Sequence, residues 1–231
     1  MYLKLGYLGL SVLITTFIFL LGNRAINACQ DPRKSTKKII LGLGLFFWHT
    51  YVYLVAISGV IQSFELPPKF PILLVLPTFV FIAIFLYSNK DKKWIDSIPK
   101  HWLIYIQSFR LVVETLFVIS VSDGLLHYHV TIEGYNYDML VGFSALIIGF
   151  LFHKKWVSEN FVLYWNYTGL SVLAVVVFVF ITTAFFPTLY GSKVSLMPLE
   201  ALKYPFVLVA SFLMPVAVFL HIWSILQLRK G

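Results

Sequence analysis

The chain alternates between long apolar runs and short polar segments. Seven runs of 17 to 26 residues stand out, and the fifth is the shortest. A helix needs about 20 apolar residues, with a lower limit of about 17, to cross the hydrocarbon core of a bilayer. The pattern therefore predicts an all-α, polytopic membrane bundle of seven transmembrane helices that forms one domain over residues 1–231. The predicted spans are residues 2–21, 39–62, 70–88, 101–122, 137–153, 161–186 and 205–228.

Composition excludes the soluble alternative. Of the 231 residues, 59% are hydrophobic and only 12% are charged, and the mean hydropathy is +0.85. A soluble domain has about 25% charged residues. A soluble fold of this size cannot bury so much apolar surface, so we expect the lipid bilayer to be the main partner of the chain.

The positions of lysine and arginine predict an orientation. Thirteen of the 18 basic residues fall in segments 24–38, 90–100, 154–155 and 229–230, which all lie on one side of a seven-span bundle. Four lie on the other side, and Arg110 lies within a span. Because basic loops stay in the cytoplasm, this asymmetry predicts an outside N-terminus and a cytoplasmic C-terminus. It also accounts for the net charge of +8. The basic residues are dispersed over four segments, so no nucleic-acid partner is expected.

A narrow polar stripe runs along the fourth predicted span. Gln107, Arg110 and Glu114 fall within an arc of roughly 60° when successive residues turn by ~100°. An ionisable side chain in hydrocarbon costs about 2.5 to 3.5 kcal/mol on insertion scales, so such residues normally face a protein interior or a wet cavity. We therefore expect the stripe to face other helices and Arg110 to pair with Glu114 four residues later.

Polar residues of three other spans lie at a similar depth. At 1.5 Å per residue from the basic side, Asn166 lies at roughly 7 Å, His221 at ~9 Å, Arg110 at ~13 Å, His49 at ~15 Å and Glu114 at ~19 Å. This layer predicts a shared buried site. It is either a network whose members bond one another or a cavity for a small molecule, ion or proton that opens toward the basic side.

Prolines interrupt two of the predicted spans. Pro77 lacks an N–H group and its ring clashes with the preceding turn, so it predicts a kink or a local break in the third span. Pro215 lies inside the seventh span.

The polar segment before the fifth span contains two histidines. The alternation from His127 to Glu133 suits a short extended segment, which would point His127 and His129 to the same side. Nearby carboxylates make a divalent metal site conceivable. The alternative is an ordinary polar lid or helix cap, with Asp138 as the N-cap or first-turn acid of the fifth span.

Several known chemistries have no motif in the chain. The seventh predicted span has no lysine that could bind retinal. The nucleotide-binding pattern G-x-x-x-x-G-K-[ST] and the zinc-protease pattern H-E-x-x-H are both missing from the sequence. The sequence therefore leaves the enzyme question and any cofactor open.

The motifs together resemble an uncharacterised family of seven-helix bacterial integral membrane proteins. The resemblance covers the chain from about the fourth span onward and implies a fold and a bacterial cytoplasmic membrane, without an activity. It is carried by Gln107-x-x-Arg110-x-x-x-Glu114, Glu133-Gly134-x-Asn136-x-Asp138, Trp165-Asn166, and Pro205-Phe206 leading to Pro215 and His221.

The leading hypothesis is a membrane protein that handles a small ligand or ion, as a sensor or transporter. In it Arg110 anchors an anionic or carbonyl group, Glu114 provides the counter-charge, and His49 and His221 change protonation near neutral pH. One alternative is a structural or accessory subunit of a larger envelope complex, which requires a protein partner in the membrane. Another is an intramembrane metal-dependent enzyme.

Overall fold

The chain folds into a bundle of α-helices. The computed structural model describes residues 1–30 and 32–230, and these residues contain no β-strand. The helices are α1 (Tyr2–Ala28), α2 (Lys34–Ile57), α3 (Leu76–Asn89), α4 (Lys100–Ile106), α5 (Phe109–Ser122), α6 (Asp138–His153), α7 (Glu159–Phe185) and α8 (Met214–Leu228).

Within residues 1–30 and 32–230, six helical segments are long and apolar enough to cross a membrane. Helices α4 and α5 together form one of them, and π-helical turns extend α3 and α8 toward their N-termini. The fifth predicted run forms α6, which has 16 residues and is shorter than the other six. The prediction of an all-helical membrane protein is confirmed at this level.

The interior of the bundle lies between α1, α5, α7 and α8. Tyr7, Ile14, Phe117 and Leu220 belong to the main apolar core. Helix α2 lies at the edge, and only Val52 and Ala56 of its residues are buried. The remaining apolar side chains of α2 form the kind of surface that soluble monomers rarely expose and that lipid covers in a membrane.

Both internal prolines follow a π-helical turn. The turn at Pro71–Val75 precedes Pro77, and the turn at Val209–Leu213 precedes Pro215. Each proline is the second residue of the α-helix that follows. A π turn widens the backbone where a proline ring would otherwise strike the carbonyl four residues earlier. The predicted irregularity at Pro77 is therefore a π-helical turn, and the helical segment continues through it over Pro71–Asn89.

Helix α2 donates hydrogen bonds to the carbonyls that these prolines leave free. Leu73, four residues before Pro77, accepts a hydrogen bond from the hydroxyl of Tyr51 at 3.0 Å. Ser211, four residues before Pro215, accepts from Nε1 of Trp48 at 3.1 Å. In hydrocarbon an unpaired carbonyl is costly, and neighbouring helices commonly satisfy it. The aromatic side chains of α2 therefore attach this peripheral helix to α3 and α8.

The two ends of the bundle differ in character. We call the end formed by segments 90–99, 154–158 and 229–230 the basic end; there Nε2 of Gln227 donates to the carbonyl of Ile95 at 2.6 Å. We call the end formed by segments 58–70, 123–137 and 186–208 the loop end. At the loop end the rings of His129 and Tyr190 lie 4.7 Å apart. The three loops of this end fold over the bundle and carry part of the site described next.

Candidate functional site

The polar stripe of the fourth predicted span faces the interior. Gln107, Arg110 and Glu114 are each at most 1% exposed, which confirms the predicted inward orientation. The stripe begins where α4 meets α5, and there Arg110 N–H donates to the Gln107 carbonyl at 3.2 Å in place of an α-helical bond. The side chain of Gln107 donates from Nε2 to the carbonyl of Ala217 at 3.0 Å, which links the junction to α8.

Arg110 pairs with Asp138, the first residue of α6. Its Nη2 donates to Oδ1 of Asp138, and both side chains are buried. Its Nη1 donates to Nε2 of His221 at 2.9 Å. The predicted ion pair between Arg110 and Glu114 is therefore wrong, because the loop before α6 supplies a second carboxylate that sequence spacing did not reveal.

Glu114 is held by that same loop. Its Oε1 accepts the backbone N–H of Ile132 at 2.6 Å, and its Oε2 accepts Nδ2 of Asn136 at 3.0 Å. Oδ1 of Asn136 in turn accepts the N–H of Asp138 at 2.9 Å. The loop donors occupy both oxygens of Glu114 and also position Asp138. For this reason Arg110 and Glu114 have separate partners although they are only one helical turn apart.

This loop does not have the extended conformation that its sequence pattern predicts. It forms a short 3₁₀ turn at Tyr128–Val130 and then folds back, so that Tyr135 N–H donates to the carbonyl of His129 at 3.0 Å. At Gly134 a Cβ atom would lie 2.4 Å from the Cα of His129, so only glycine allows this close return. The tight return is what brings Asn136 and Asp138 into the bundle.

His221 connects Arg110 to α7. Its Nδ1 lies 2.8 Å from Oδ1 of Asn166, whose Nδ2 donates to Ser224 Oγ at 3.0 Å and to the Val162 carbonyl at 2.8 Å. Because the amide nitrogen of Asn166 is the donor, its oxygen must accept, and Nδ1 of His221 carries the proton. Nε2 then accepts from Arg110. We assign a neutral imidazole, since the lone pair that a second proton would need is already occupied.

A glycine on α7 makes room for this ring. A Cβ atom at Gly169 would lie 2.4 Å from Cε1 and 2.5 Å from Nε2 of His221. The imidazole therefore packs directly against the α7 backbone, as small residues permit between membrane helices. Arg110, Asp138, His221, Asn166 and Ser224 form one buried chain of hydrogen bonds across α5, α6, α7 and α8. We call these five residues, together with Glu114 and Asn136, the polar network.

His49 belongs to a different contact. Its Nε2 lies 2.8 Å from Oγ1 of Thr15 on α1, and its ring packs against Phe212 with centroids 4.5 Å apart. The hydroxyl of Thr15 donates to the Ser11 carbonyl, so its oxygen accepts from His49. The expectation that His49 shares a site with Arg110 and His221 is thus wrong. Equal depth along two helices did not mean that their side chains face each other.

A cavity of about 130 Å³ lies between the polar network and the loop end. Arg110, Asp138 and Asn136 contribute to its lining, and Tyr7 and Ser120 add two hydroxyl groups. The rest of the wall is apolar, including Phe117, Leu173, Val176, Phe180 and Leu213. The sequence predicted a cavity that opens toward the basic side. The observed cavity lies toward the loop end instead, because Leu125, Met197 and Leu202 of that end form part of its wall.

The two loop histidines are neighbours, with ring centroids 4.4 Å apart. His127 Nδ1 accepts the N–H of His129 at 3.3 Å, and Nε2 of His129 lies 2.9 Å from the hydroxyl of Tyr128. Burial and then the nearby His129 lower the pKa of His127, and burial lowers the pKa of His129. Among the described residues no group of three or more His, Cys, Asp or Glu side chains lies close enough to hold a metal ion. Asp138 is confirmed as a first-turn acid of α6.

Fold and site together define an α-helical membrane protein with a buried polar network beside an apolar cavity. Comparison of the chain with known protein families, curated proteins and solved structures finds no match. The family resemblance seen in the sequence therefore stays a prediction, and the functional argument rests on the residues of this chain.

Three network members were not predicted from the sequence. The sequence predicts Asp138 only as a helix cap or first-turn acid and Asn136 only as a loop residue, although a carboxylate next to an apolar run is a usable signal in a chain with a buried arginine. Ser224 carried no signal, because serine is common on membrane helices and its partner Asn166 lies 58 residues away.

Proposed function

We propose that the protein is a seven-helix integral membrane protein of a bacterial cytoplasmic membrane that binds a small molecule in the cavity beside Arg110. In this proposal the basic end faces the cytoplasm, in accordance with the excess of lysine and arginine there. The protein acts as a sensor or transporter of that molecule. The cavity would then be reached from the outer leaflet or the outer face.

The observation that carries the proposal is the combination of an apolar cavity with a buried guanidinium group in its wall. Arg110 is 1% exposed and lines the cavity with Asp138. Filling an apolar cavity of about 130 Å³ is worth roughly 3 kcal/mol at about 24 cal/mol per Å³. Apolar pockets with a few convergent polar groups are the usual form of small-molecule sites. The cavity thus offers both binding energy and a polar anchor.

A second function, that of an accessory subunit, is favoured by the polar network itself. Its members bond one another across four helices, from Asp138 on α6 through Arg110 and His221 to Asn166. Such a network fixes the helices in register without any ligand. In this case the protein depends on a protein partner, and changes that fill the cavity leave its role intact.

The test compares the small molecules that co-purify with three proteins from the same membranes. Val176 is 7% exposed and lines the cavity, whereas its neighbour Val175 is 45% exposed and does not. Chemical extraction followed by mass spectrometry is expected to find one molecule in near-stoichiometric amount in the wild type and in Val175→Phe. The same molecule is expected to be depleted in Val176→Phe. Equal content in the two variants, together with a stoichiometric protein partner, would favour the accessory function instead.

A further inference from the structure

We infer that the ligand is a neutral, mostly apolar molecule with an oxygen atom that accepts a hydrogen bond from the Nε–H group of Arg110. The part of the ligand inside the cavity has about the size of a six-carbon ring. This inference rests on the proposed function and specifies the class of ligand. It narrows the choice between an anionic and a carbonyl group that the sequence left open.

The first argument concerns hydrogen-bond donors. Nε of Arg110 is buried and has no hydrogen-bond partner, unlike Nη1 and Nη2 of the same side chain. A buried N–H group is normally paired, and an unpaired one is costly. Arg110 also lines the cavity, so the unpaired donor belongs to a side chain that a molecule in the cavity would contact.

The other polar side chains of the wall have their donors engaged. Ser120 donates to the Leu116 carbonyl at 2.7 Å, and the hydroxyl of Tyr7 lies 2.8 Å from Ser120 Oγ and donates to it. Nδ2 of Asn136 donates to Glu114 and to the Val130 carbonyl. Among the polar side chains named for the wall, the donors left for a ligand belong to Arg110, and its Nε is the donor nitrogen without any partner.

The second argument concerns charge. A guanidinium group stays protonated in proteins, and the Asp138 carboxylate already neutralises that of Arg110. His221, the other partner of Arg110, is neutral by its hydrogen bonds. A carboxylate ligand would bring a second anion beside Asp138 without a second cation, in a medium where an uncompensated charge is expensive. A carbonyl, ether or ester oxygen meets the donor at no such cost.

The third argument concerns size. The cavity volume of about 130 Å³ is close to that of an apolar protein cavity of ~150 Å³ that binds benzene. Phe117, Val176 and Phe180 surround the space with apolar surface. The buried part of the ligand is therefore a single ring or an acyl segment of comparable size, and any longer portion must extend beyond the cavity.

The experiment measures binding of three probes of similar size to the full-length protein in mild detergent. The probes are benzene, cyclohexanone and cyclohexanecarboxylate, and binding is followed by saturation-transfer NMR on the wild type, Val175→Phe and Val176→Phe. Subtraction of the Val176→Phe signal removes the fraction of probe that dissolves in the micelle. We expect cyclohexanone to bind about tenfold more tightly than either other probe, a ratio typical of one buried hydrogen bond.

The outcomes separate this inference from the proposed function. If cyclohexanecarboxylate binds as tightly as cyclohexanone, or if benzene does, the inference is overturned while the cavity remains a binding site. If none of the three probes binds more tightly to Val175→Phe than to Val176→Phe, both the inference and the proposed function are wrong. Arg110→Lys, which keeps the charge and removes Nε–H, is expected to abolish the preference for cyclohexanone. The probe comparison decides the question even where that variant does not fold, since it uses only valine variants.

Discussion

Two polar regions of the bundle were predicted at a similar depth: the polar network, and the contact between His49 and Thr15. They differ in how many helices their hydrogen bonds connect. The polar network joins four helices, and each of its residues is at most 7% exposed. The hydrogen bond between His49 and Thr15 joins α2 to α1, and the ring of His49 also packs against Phe212. In the interior an unpaired polar group is costly, and most polar side chains of the network bond to other helices or to the loop before α6. Nearer the periphery, the hydrogen bond between His49 and Thr15 pairs the imidazole without a larger network.

Helix α8, which carries part of the polar network, and helix α2, which carries His49, also differ in how much of their surface is buried. Within its most apolar window, 61% of the α8 segment is buried, compared with 11% of α2. The mean hydropathy of these windows is similar, at 2.0 and 1.8, so hydrophobicity alone does not distinguish a central helix from a peripheral one. What distinguishes them is the burial of polar side chains. Helix α8 carries His221, Ser224 and Gln227, all at most 1% exposed, whereas the buried residues of α2 are both apolar.

The largest effect is expected for Asp138→Asn. This change leaves the buried charge of Arg110 without its counter-ion, and breaking a buried pair from one side costs about 3–5 kcal/mol. Thermal unfolding in detergent, read as loss of a monodisperse chromatographic peak, measures the change in stability. Glu200→Gln is the matched control, because it removes an exposed carboxylate that pairs only with Lys203, and it is expected to leave the unfolding temperature unchanged.

A smaller effect is expected for Gly169→Ala. The added methyl group would overlap the ring of His221, so the ring must shift away from Arg110 or Asn166, at a cost of about 1–3 kcal/mol. The control is Gly44→Ala on α2, where no atom lies within 4 Å of the new Cβ. Alanine favours a helix over glycine, so the control is expected to be neutral or slightly stabilising in the same unfolding assay. Equal destabilisation by the two changes would show that the close contact of α7 with His221 is not structural.

The fold was largely predictable from sequence, and the site only in part. Long apolar runs fix the helices, and the arc shared by Gln107, Arg110 and Glu114 fixes which face is buried. The partner of Arg110 was not predictable, since it depends on a loop that turns at Tyr128–Val130 and folds back at Gly134 instead of running extended. Periodicity along one helix describes neighbours on that helix, whereas Asp138 reaches Arg110 from another helix.

The prediction that His49 shares a site with Arg110 and His221 was wrong for a related reason. Depth along a helix is one coordinate, and a contact also needs the right rotation about the helix axis and the right neighbouring helix. His221 and Asn166 meet because α7 and α8 pack together around Gly169, whereas His49 on α2 faces α1 and Phe212. The sequence indicated the depth of all three residues and did not indicate their rotation.

The smallest effect is expected for Tyr51→Phe in the peripheral region. It removes the hydrogen bond to the Leu73 carbonyl that Pro77 leaves free, and such bonds between membrane helices average about 0.6 kcal/mol. Tyr53→Phe, on the same helix at a residue 45% exposed, is the control. Stability of the two variants is compared in the same assay. A loss of stability as large as that of Asp138→Asn would contradict the conclusion that α2 is a peripheral helix.

The most direct test of the account is a pair of double-mutant cycles that ask which carboxylate balances Arg110. One cycle combines Arg110→Gln with Asp138→Asn, and the other combines Arg110→Gln with Glu114→Gln, with thermal stability as the measurement. The account predicts that Arg110→Gln partly restores the stability of Asp138→Asn, with a coupling energy of about 2–3 kcal/mol, and that it adds independently to Glu114→Gln. A larger coupling between Arg110 and Glu114 than between Arg110 and Asp138 would contradict it, and the argument for a neutral ligand would fall as well.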